Sequence, residues 1–88
     1  MTEGARYVPS GPDAEAAIEV EIDGPAGAVC LRIPASTFAK AFGTVGDSRG
    51  QLFNTFIERK LEIWPKLWKK VPRLSAGEVY TVTPSDME

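Results

Sequence analysis

The longest regular pattern in the chain runs from Asp47 to Val71 and has the period of an amphipathic helix. At about 100° per residue, its large apolar side chains fall on one half of a helical wheel and polar side chains on the other. An apolar arc this wide is typical of a helix that packs against a sheet. Ser48 and Gln51 fit a capping box, which predicts that the helix begins directly after Ser48. The predicted core-facing residues are Leu52, Phe53, Phe56, Ile57, Leu61, Ile63, Trp64, Leu67, Trp68 and Val71.

Pro65 interrupts this helical pattern. Proline has no amide hydrogen, and its ring crowds the carbonyl group four residues earlier, which here belongs to Leu61. The pattern therefore predicts a bend or an end immediately before Pro65. Either one long, Pro-kinked helix or two helices over about 49–64 and 65–71 would satisfy the sequence, since proline is a favourable first residue of a helix.

Lys60 is a charged residue near the middle of the predicted apolar arc. Its aliphatic stem could lie along apolar surface while the ammonium group reaches water. Alternatively, Lys60 is a structural buried cation that pairs with a carboxylate from another element, Asp86 or Glu78. A contact with a functional anion is a third interpretation.

An alternating pattern precedes the helix and predicts a β-hairpin. Apolar and acidic residues alternate over residues 17–23, as in a strand with one buried and one solvated face. Turn-forming residues 24–27 follow, and residues 28–33 alternate again. Two such strands are expected to pair in antiparallel fashion. Cys30 falls on the less buried face of the second strand, which indicates a small packing residue rather than a nucleophile.

The remaining segments carry weaker patterns. Residues 1–14 are rich in Gly, Pro and Ser and predict a loose segment in which Arg6–Pro9 adds a short edge strand. The sequence after Pro34 predicts a short helix over about 35–42 that Gly43 stops. The glycine-rich loop that follows matches no phosphate-binding fingerprint and is interpreted as a linker.

The last strand completes the predicted architecture. Residues 78–83 contain Val, Tyr and Thr, which favour strands. Pro84 is expected to end this strand, and residues 85–88 are interpreted as a terminal tail. We therefore predict one α+β domain over residues 1–88, with a small antiparallel sheet formed by the hairpin and this C-terminal strand. The short helix and the long, Pro-kinked amphipathic helix are expected to cover one face of the sheet.

Composition narrows the range of functions. The 43% hydrophobic and 25% charged content of the 88 residues is that of an ordinary globular domain. Without histidine, and with Cys30 as the single cysteine, the chain lacks the commonest general base and a structural zinc set. No catalytic, cofactor-binding or metal-binding residue is predicted, so a non-enzymatic protein is expected. The single cysteine and the lack of a secretion signal or of a roughly 20-residue apolar run predict a cytoplasmic protein outside the membrane.

The order of these features resembles small bacterial proteins of the domain of unknown function 1488 family. That family has a short strand ending in proline, a hairpin with cysteine in its second strand, a short helix, a longer helix and a final Gly-containing strand. Lys60 stands where the family has arginine, and Pro65 stands where it has small residues. The resemblance implies an α+β fold with a structural cation at Lys60, and it implies no activity. The counterparts in this chain are Tyr7-Val8-Pro9, Cys30, Ile33, Phe38, Phe42, Leu52, Phe56, Lys60, Ile63, Gly77, Asp86 and Met87.

Two functions of different classes fit the surface residues. A small sheet covered on one face leaves another face open, so the first prediction is a protein-interaction or homodimerising module with large anchor residues. The alternative is a nucleic-acid-binding accessory protein, because the stretch Arg59–Arg73 has six cations, one acid and two interleaved tryptophans. The candidate interaction residues are Lys66, Trp68, Lys69, Lys70, Arg73 and Tyr80.

Overall fold

The computed structural model describes residues 3–88, and over these residues the fold is α+β, with a four-stranded mixed sheet and three α-helices. The predicted fold class is thus confirmed. Two short 3₁₀ helices, Val71–Arg73 and Pro84–Met87, follow the last α-helix and the last strand. The strands are β1 (Glu3–Val8), β2 (Ala17–Gly24), β3 (Gly27–Pro34) and β4 (Val79–Thr81), and the helices are α1 (Ala35–Phe42), α2 (Arg49–Glu58) and α3 (Lys60–Lys70).

The strands lie in the order β1-β2-β3-β4. β2 and β3 form the predicted antiparallel hairpin, in which Ile18 pairs with Ile33 and Gly24 with Gly27. The prediction of a wholly antiparallel sheet is wrong, because β4 runs parallel to β3. All three α-helices lie between β3 and β4 in the chain, and a crossover connection of this length returns the chain in the same direction.

The edge strand β1 is longer than the predicted Arg6–Pro9. It starts at Glu3 and pairs with β2 along its whole length, from Glu3 opposite Ile22 to Val8 opposite Ala17. The first two residues of the segment expected to be loose lie outside the described residues. An isolated antiparallel bridge joins Gly11 to Ala14 in the connection to β2.

One continuous core joins the sheet to the helices. Every second residue of β2 and β3 is buried in it, together with side chains from all three α-helices. The predicted short helix α1 is confirmed, and Gly43 ends it in the left-handed conformation at φ 67°, where its amide bonds to the Ala39 carbonyl. The main core residues are Ile18, Val20, Ile22, Val29, Leu31, Ile33, Phe38, Leu52, Phe56, Ile63 and Leu67.

The long helical segment is interrupted at Arg59 and not at Pro65. The predicted capping box of Ser48 and Gln51 does begin α2. Arg59 has φ −102° and ψ 13°, and α3 starts immediately after it. The expected Pro-kinked single helix, and the division into 49–64 and 65–71, are therefore both wrong. Pro65 lies within α3, and Leu61, whose carbonyl it leaves without a helical partner, is at the solvent-exposed start of that helix.

This interruption changes which side chains are buried. Ile57 and Leu61 were expected in the core, but they are 65% and 90% exposed. Lys60 is also exposed, so its interpretation as a buried cation is wrong. The proposed partner Asp86 instead forms an ion pair with Lys70 at 2.8 Å. The helical wheel failed here because it assumes one unbroken helix axis, whereas α2 and α3 are separate helices.

Candidate interaction surfaces

The hydrogen bonds of the sheet determine which backbone groups of β1 are free. In β3, the Cys30 amide donates to Glu78 and the Arg32 carbonyl accepts from Val82, so both residues face β4. Backbone groups of successive residues point to opposite sides of a strand. Leu31, which faces β2, pairs with Val20, so the neighbouring residues of β2, Glu19 and Glu21, face β1. Their partners in β1 are Arg6 and Gly4, whose backbone groups therefore point toward β2. The amide and carbonyl groups of the residue between them, Ala5, therefore point away from the sheet.

A small pocket lies beside this free edge. It has a volume of about 130 Å³ and opens next to the exposed residues at the start of β1. The rings of Phe56 and Trp64 meet edge to face, with centroids 6.1 Å apart. The Lys60 ammonium lies 5.9 Å from the Trp64 ring centroid and places a cation at the rim. The pocket is lined by Gly4, Ala5, Val20, Phe56, Lys60 and Trp64.

We call this arrangement the β1 groove, defined as the outer edge of residues 4–7 together with the pocket. The sequence alone does not reveal this groove, because the outward direction of Ala5 and the approach of Trp64 to β1 both depend on the strand register. The only indication of the groove in the sequence was the position of Lys60 within an apolar pattern. The structure explains that position, because Lys60 lies at the rim of a pocket with aromatic walls.

A second concavity lies at the C-terminal end of α3. It has a volume of about 300 Å³, and four cations from α3 and the 3₁₀ helix after it line one side. Residues of the C-terminal 3₁₀ helix line the other side. We call it the basic cleft, and its lining residues are Lys66, Lys69, Lys70, Arg73, Ser85, Asp86 and Glu88.

Asp86 holds the two sides of the basic cleft together. Its carboxylate pairs with Lys70 at 2.8 Å and accepts hydrogen bonds from the Tyr80 hydroxyl at 2.8 Å and the Thr83 amide at 2.9 Å. Burial alone would raise the pKa of Asp86, but the bonds from Lys70, Thr83 and Tyr80 lower it to about 2. The hydrogen bond to Asp86 in turn raises the pKa of Lys70 and of Tyr80. On the same side, the Lys66 ammonium donates to the Met87 carbonyl.

The role of Asp86 was not predicted, because residues 85–88 were interpreted as a tail. Thr83 and Asp86 form a capping box that starts the C-terminal 3₁₀ helix, and Met87 is buried against the core. A hydroxyl residue followed three positions later by an acid was the signal in the sequence that could have revealed it.

The predicted interaction residues are only partly brought together. Four of them, all cations, line the basic cleft, and Tyr80 contacts Asp86 from the adjacent strand. Trp68 does not join them, because it is half-buried and packs against the core with Trp64. The interleaving of cations and aromatic rings in the sequence is therefore not an interleaving on the surface.

A third charged cluster lies on the sheet face opposite the core. Glu19 is buried, and each of its carboxylate oxygens accepts bonds from one guanidinium group, Arg6 at 2.7 Å and Arg32 at 2.6 Å. Burial opposes ionisation, but the bonds from Arg32 and then Arg6 hold the pKa of Glu19 below its ordinary value. Burial raises the pKa of the nearby Cys30 thiol, which keeps it in the unreactive form. The cluster joins β1, β2 and β3, and all three of its charged groups are paired with one another.

No protein-family model, curated protein or solved structure matches the chain. The resemblance to the domain of unknown function 1488 family thus stays a prediction. Within residues 3–88, no helix combines the length and the hydrophobicity that a membrane span requires. The same residues include no cluster of three or more Cys, Asp and Glu side chains suited to a metal ion.

Proposed function

We propose that this chain is a non-enzymatic protein-interaction module that binds an extended segment of a partner protein along the β1 groove. The observation that carries this proposal is the outward-pointing backbone of Ala5 next to the pocket of Phe56 and Trp64. An added strand would satisfy the free backbone groups of β1, and a side-chain pocket beside a strand edge supplies selectivity.

The pocket restricts the chemistry of the partner segment. Side chains of a paired strand alternate between the two sheet faces, so every second partner residue would face the helices. A pocket of about 130 Å³ with two aromatic walls favours one medium-sized apolar side chain. Because Lys60 stands at its rim, an acidic side chain two positions away in the partner would find a matching charge.

Two exposed apolar residues that adjoin pocket residues in the sequence favour the same function. Leu61 adjoins Lys60 in the first turn of α3, and Ile57 lies in the last turn of α2. Both are large aliphatic residues that the core leaves in solvent. Apolar surface of this kind beside a pocket is typical of interaction sites. A homodimer in which two β1 strands pair would use the same edge.

The test begins with a displayed library of random 12-residue peptides selected on the immobilised protein. We expect apolar-x-acidic peptides that bind the chain, with the Ala5 amide becoming protected from hydrogen exchange in the complex. Ala5→Pro should abolish binding because it removes the outward amide without breaking the β1–β2 ladder. Sedimentation velocity at about 100 µM would distinguish self-pairing, which predicts a dimer that Ala5→Pro dissociates.

Val79→Pro provides a matched control on the opposite edge of the sheet. Glu78 and Val82 face β3, so the amide of Val79 also points outward, and its replacement should leave both fold and peptide binding intact. Equal binding by the two proline variants, or a selection that yields no peptide and no dimer, would refute the β1 groove as the interaction site.

A further inference from the structure

The cations of the basic cleft follow one side of a helix and are not all used by the fold. Each of these cations has another one three or four residues away, on a neighbouring turn; they are Lys66, Lys69, Lys70 and Arg73. Like charges at these spacings destabilise a helix. The ion pair with Asp86 offsets this repulsion for Lys70, and the Lys66 ammonium donates a hydrogen bond to the Met87 carbonyl.

Lys69 and Arg73 have no such partner. Both are exposed, and neither makes a hydrogen bond or an ion pair with any residue in the part of the chain that the structure describes. Lys69 lies beside the anchored Lys70, and Arg73 follows one turn later. The cleft therefore presents two uncommitted cations next to two that the C-terminal 3₁₀ helix already fixes in position.

We propose that the basic cleft binds a small phosphate monoester in its dianionic form. The four cations and the two carboxylates of Asp86 and Glu88 give the cleft a net charge of about +2, which matches a dianion. Arg73 can donate two parallel hydrogen bonds to phosphate oxygens, and Lys69 contributes a point charge. Ser85 adds a hydroxyl donor on the opposite wall.

Shape favours a small monoester over a nucleic-acid strand. The volume of about 300 Å³ is at the lower limit of pockets that bind small molecules. Single-stranded nucleic acid is bound by cations together with aromatic rings on which bases stack. Here Trp64 and Trp68 pack against the core, and the Tyr80 hydroxyl is bonded to Asp86. The cleft supplies charge without stacking surfaces.

The experiment follows amide chemical shifts during titration at constant ionic strength with phenyl phosphate, dimethyl phosphate and a single-stranded oligonucleotide. We expect phenyl phosphate to shift amides around residues 66–73 and 85–88, and to bind at least tenfold more tightly than the singly charged dimethyl phosphate. Tighter binding by the oligonucleotide, per site, would overturn the proposal in favour of nucleic acid. Equal affinity for the two small phosphates would overturn it in favour of non-specific attraction.

Matched double variants locate the site. Lys69→Gln with Arg73→Gln should weaken phenyl phosphate binding at least tenfold while the thermal melting temperature stays within about 2 °C, because both side chains are exposed. Lys40→Gln with Arg49→Gln removes the same charge outside the cleft and should leave the affinity within about twofold. Equal weakening by both pairs would show that net charge alone attracts the anion, which contradicts a site in the cleft.

Discussion

The two edges of the sheet differ in length and in surroundings. β1 has six residues and borders an aromatic pocket, whereas β4 has three residues and is followed, after Val82 and Thr83, by a 3₁₀ helix beginning at Pro84. Natural sheets protect their edges by keeping edge strands short, as in β4. β1 is twice as long. The longer strand β1 therefore offers more outward-facing backbone to the partner strand proposed above than β4 does.

Each edge is fastened to the domain by a carboxylate, and the two carboxylates have different surroundings. Glu19 joins β1 to the middle strands through two arginines on the face opposite the core. Asp86 joins β4 to α3 through Tyr80 and Lys70, beside two cations, Lys69 and Arg73, that form no ion pair within residues 3–88. The first cluster is complete in itself, so it serves the fold. The Asp86 cluster borders a cleft in which Lys69 and Arg73 are not used by the fold, so this region can also take part in binding.

The largest effect is expected from Phe56→Ala, which removes the ring between the β1 groove and the core. Phe56 is buried, and truncation of such a residue should lower the free energy of unfolding by about 3–5 kcal/mol. Urea melts followed by tryptophan fluorescence measure this loss. Val79→Ala at the other edge is the control, with an expected change within about 0.5 kcal/mol because Val79 is exposed. A loss below about 1 kcal/mol for Phe56→Ala would contradict its central place.

Glu19→Gln should loosen β1 with a smaller effect on the whole domain. The substitution removes the charge that both arginines bind, and breaking a buried ion pair costs about 3–5 kcal/mol. Because Arg6 is 64% exposed and can be solvated, we expect a loss nearer 2 kcal/mol. Hydrogen exchange should accelerate at the Gly4 and Arg6 amides before it does in β3. Uniform acceleration through all strands would show that Glu19 does not act on β1 specifically.

Local patterns in the sequence predicted the elements that depend on neighbouring residues. The alternation in β2 and β3, the Ser48 capping box and the Gly43 stop were each readable, because their physical causes lie within a few positions. The direction of β4 was not readable from its own residues. Whether a strand runs parallel or antiparallel depends on the route of the 44 residues between it and β3.

Both candidate surfaces depend on relations between distant segments. One wall of the basic cleft could be read from the sequence, because its four cations are close together in the chain. The opposite wall could not, because it comes from residues 85–88, which were interpreted as a tail. The β1 groove was missed, because it needs both the strand register and the interruption at Arg59. The interruption at Arg59 lies more than one turn before Pro65, and no helix-breaking residue marks it in the sequence.

Acid should weaken the attachment of β4 through Asp86. Its pKa is about 2 in the folded chain against an ordinary value of 3.8, so its contribution is complete above about pH 4 and is lost as the pH falls toward 2. The shift corresponds to about 1–2 kcal/mol after an allowance for solvent screening. Urea melts at several pH values should show this loss. Asp86→Asn should be less stable at pH 7 by a similar amount and should lose less between pH 4 and 2.

Removing the Asp86 carboxylate thus tests the β4 edge without touching β1. Glu19→Gln serves as the comparison, since it retains Asp86 and should keep the loss between pH 4 and 2. Identical pH profiles for the unsubstituted chain and Asp86→Asn would show that other carboxylates account for the acid sensitivity.

The smallest effect on stability is expected from Lys60→Met, at the rim of the β1 groove. Lys60 is exposed, so the loss of its charge leaves no buried carboxylate unpaired, and the free energy of unfolding should change by less than about 0.5 kcal/mol. Lys70→Met is the matched control, because it leaves the mostly buried Asp86 without its cation and should destabilise by about 1–2 kcal/mol. Peptide binding should show the opposite order, with Lys60→Met weakening acidic peptides severalfold and Lys70→Met leaving them unchanged. If Lys60→Met instead destabilised the fold as much as Lys70→Met, Lys60 would have a structural role like that of Lys70. That result would contradict the assignment of Lys60 to peptide binding at the β1 edge.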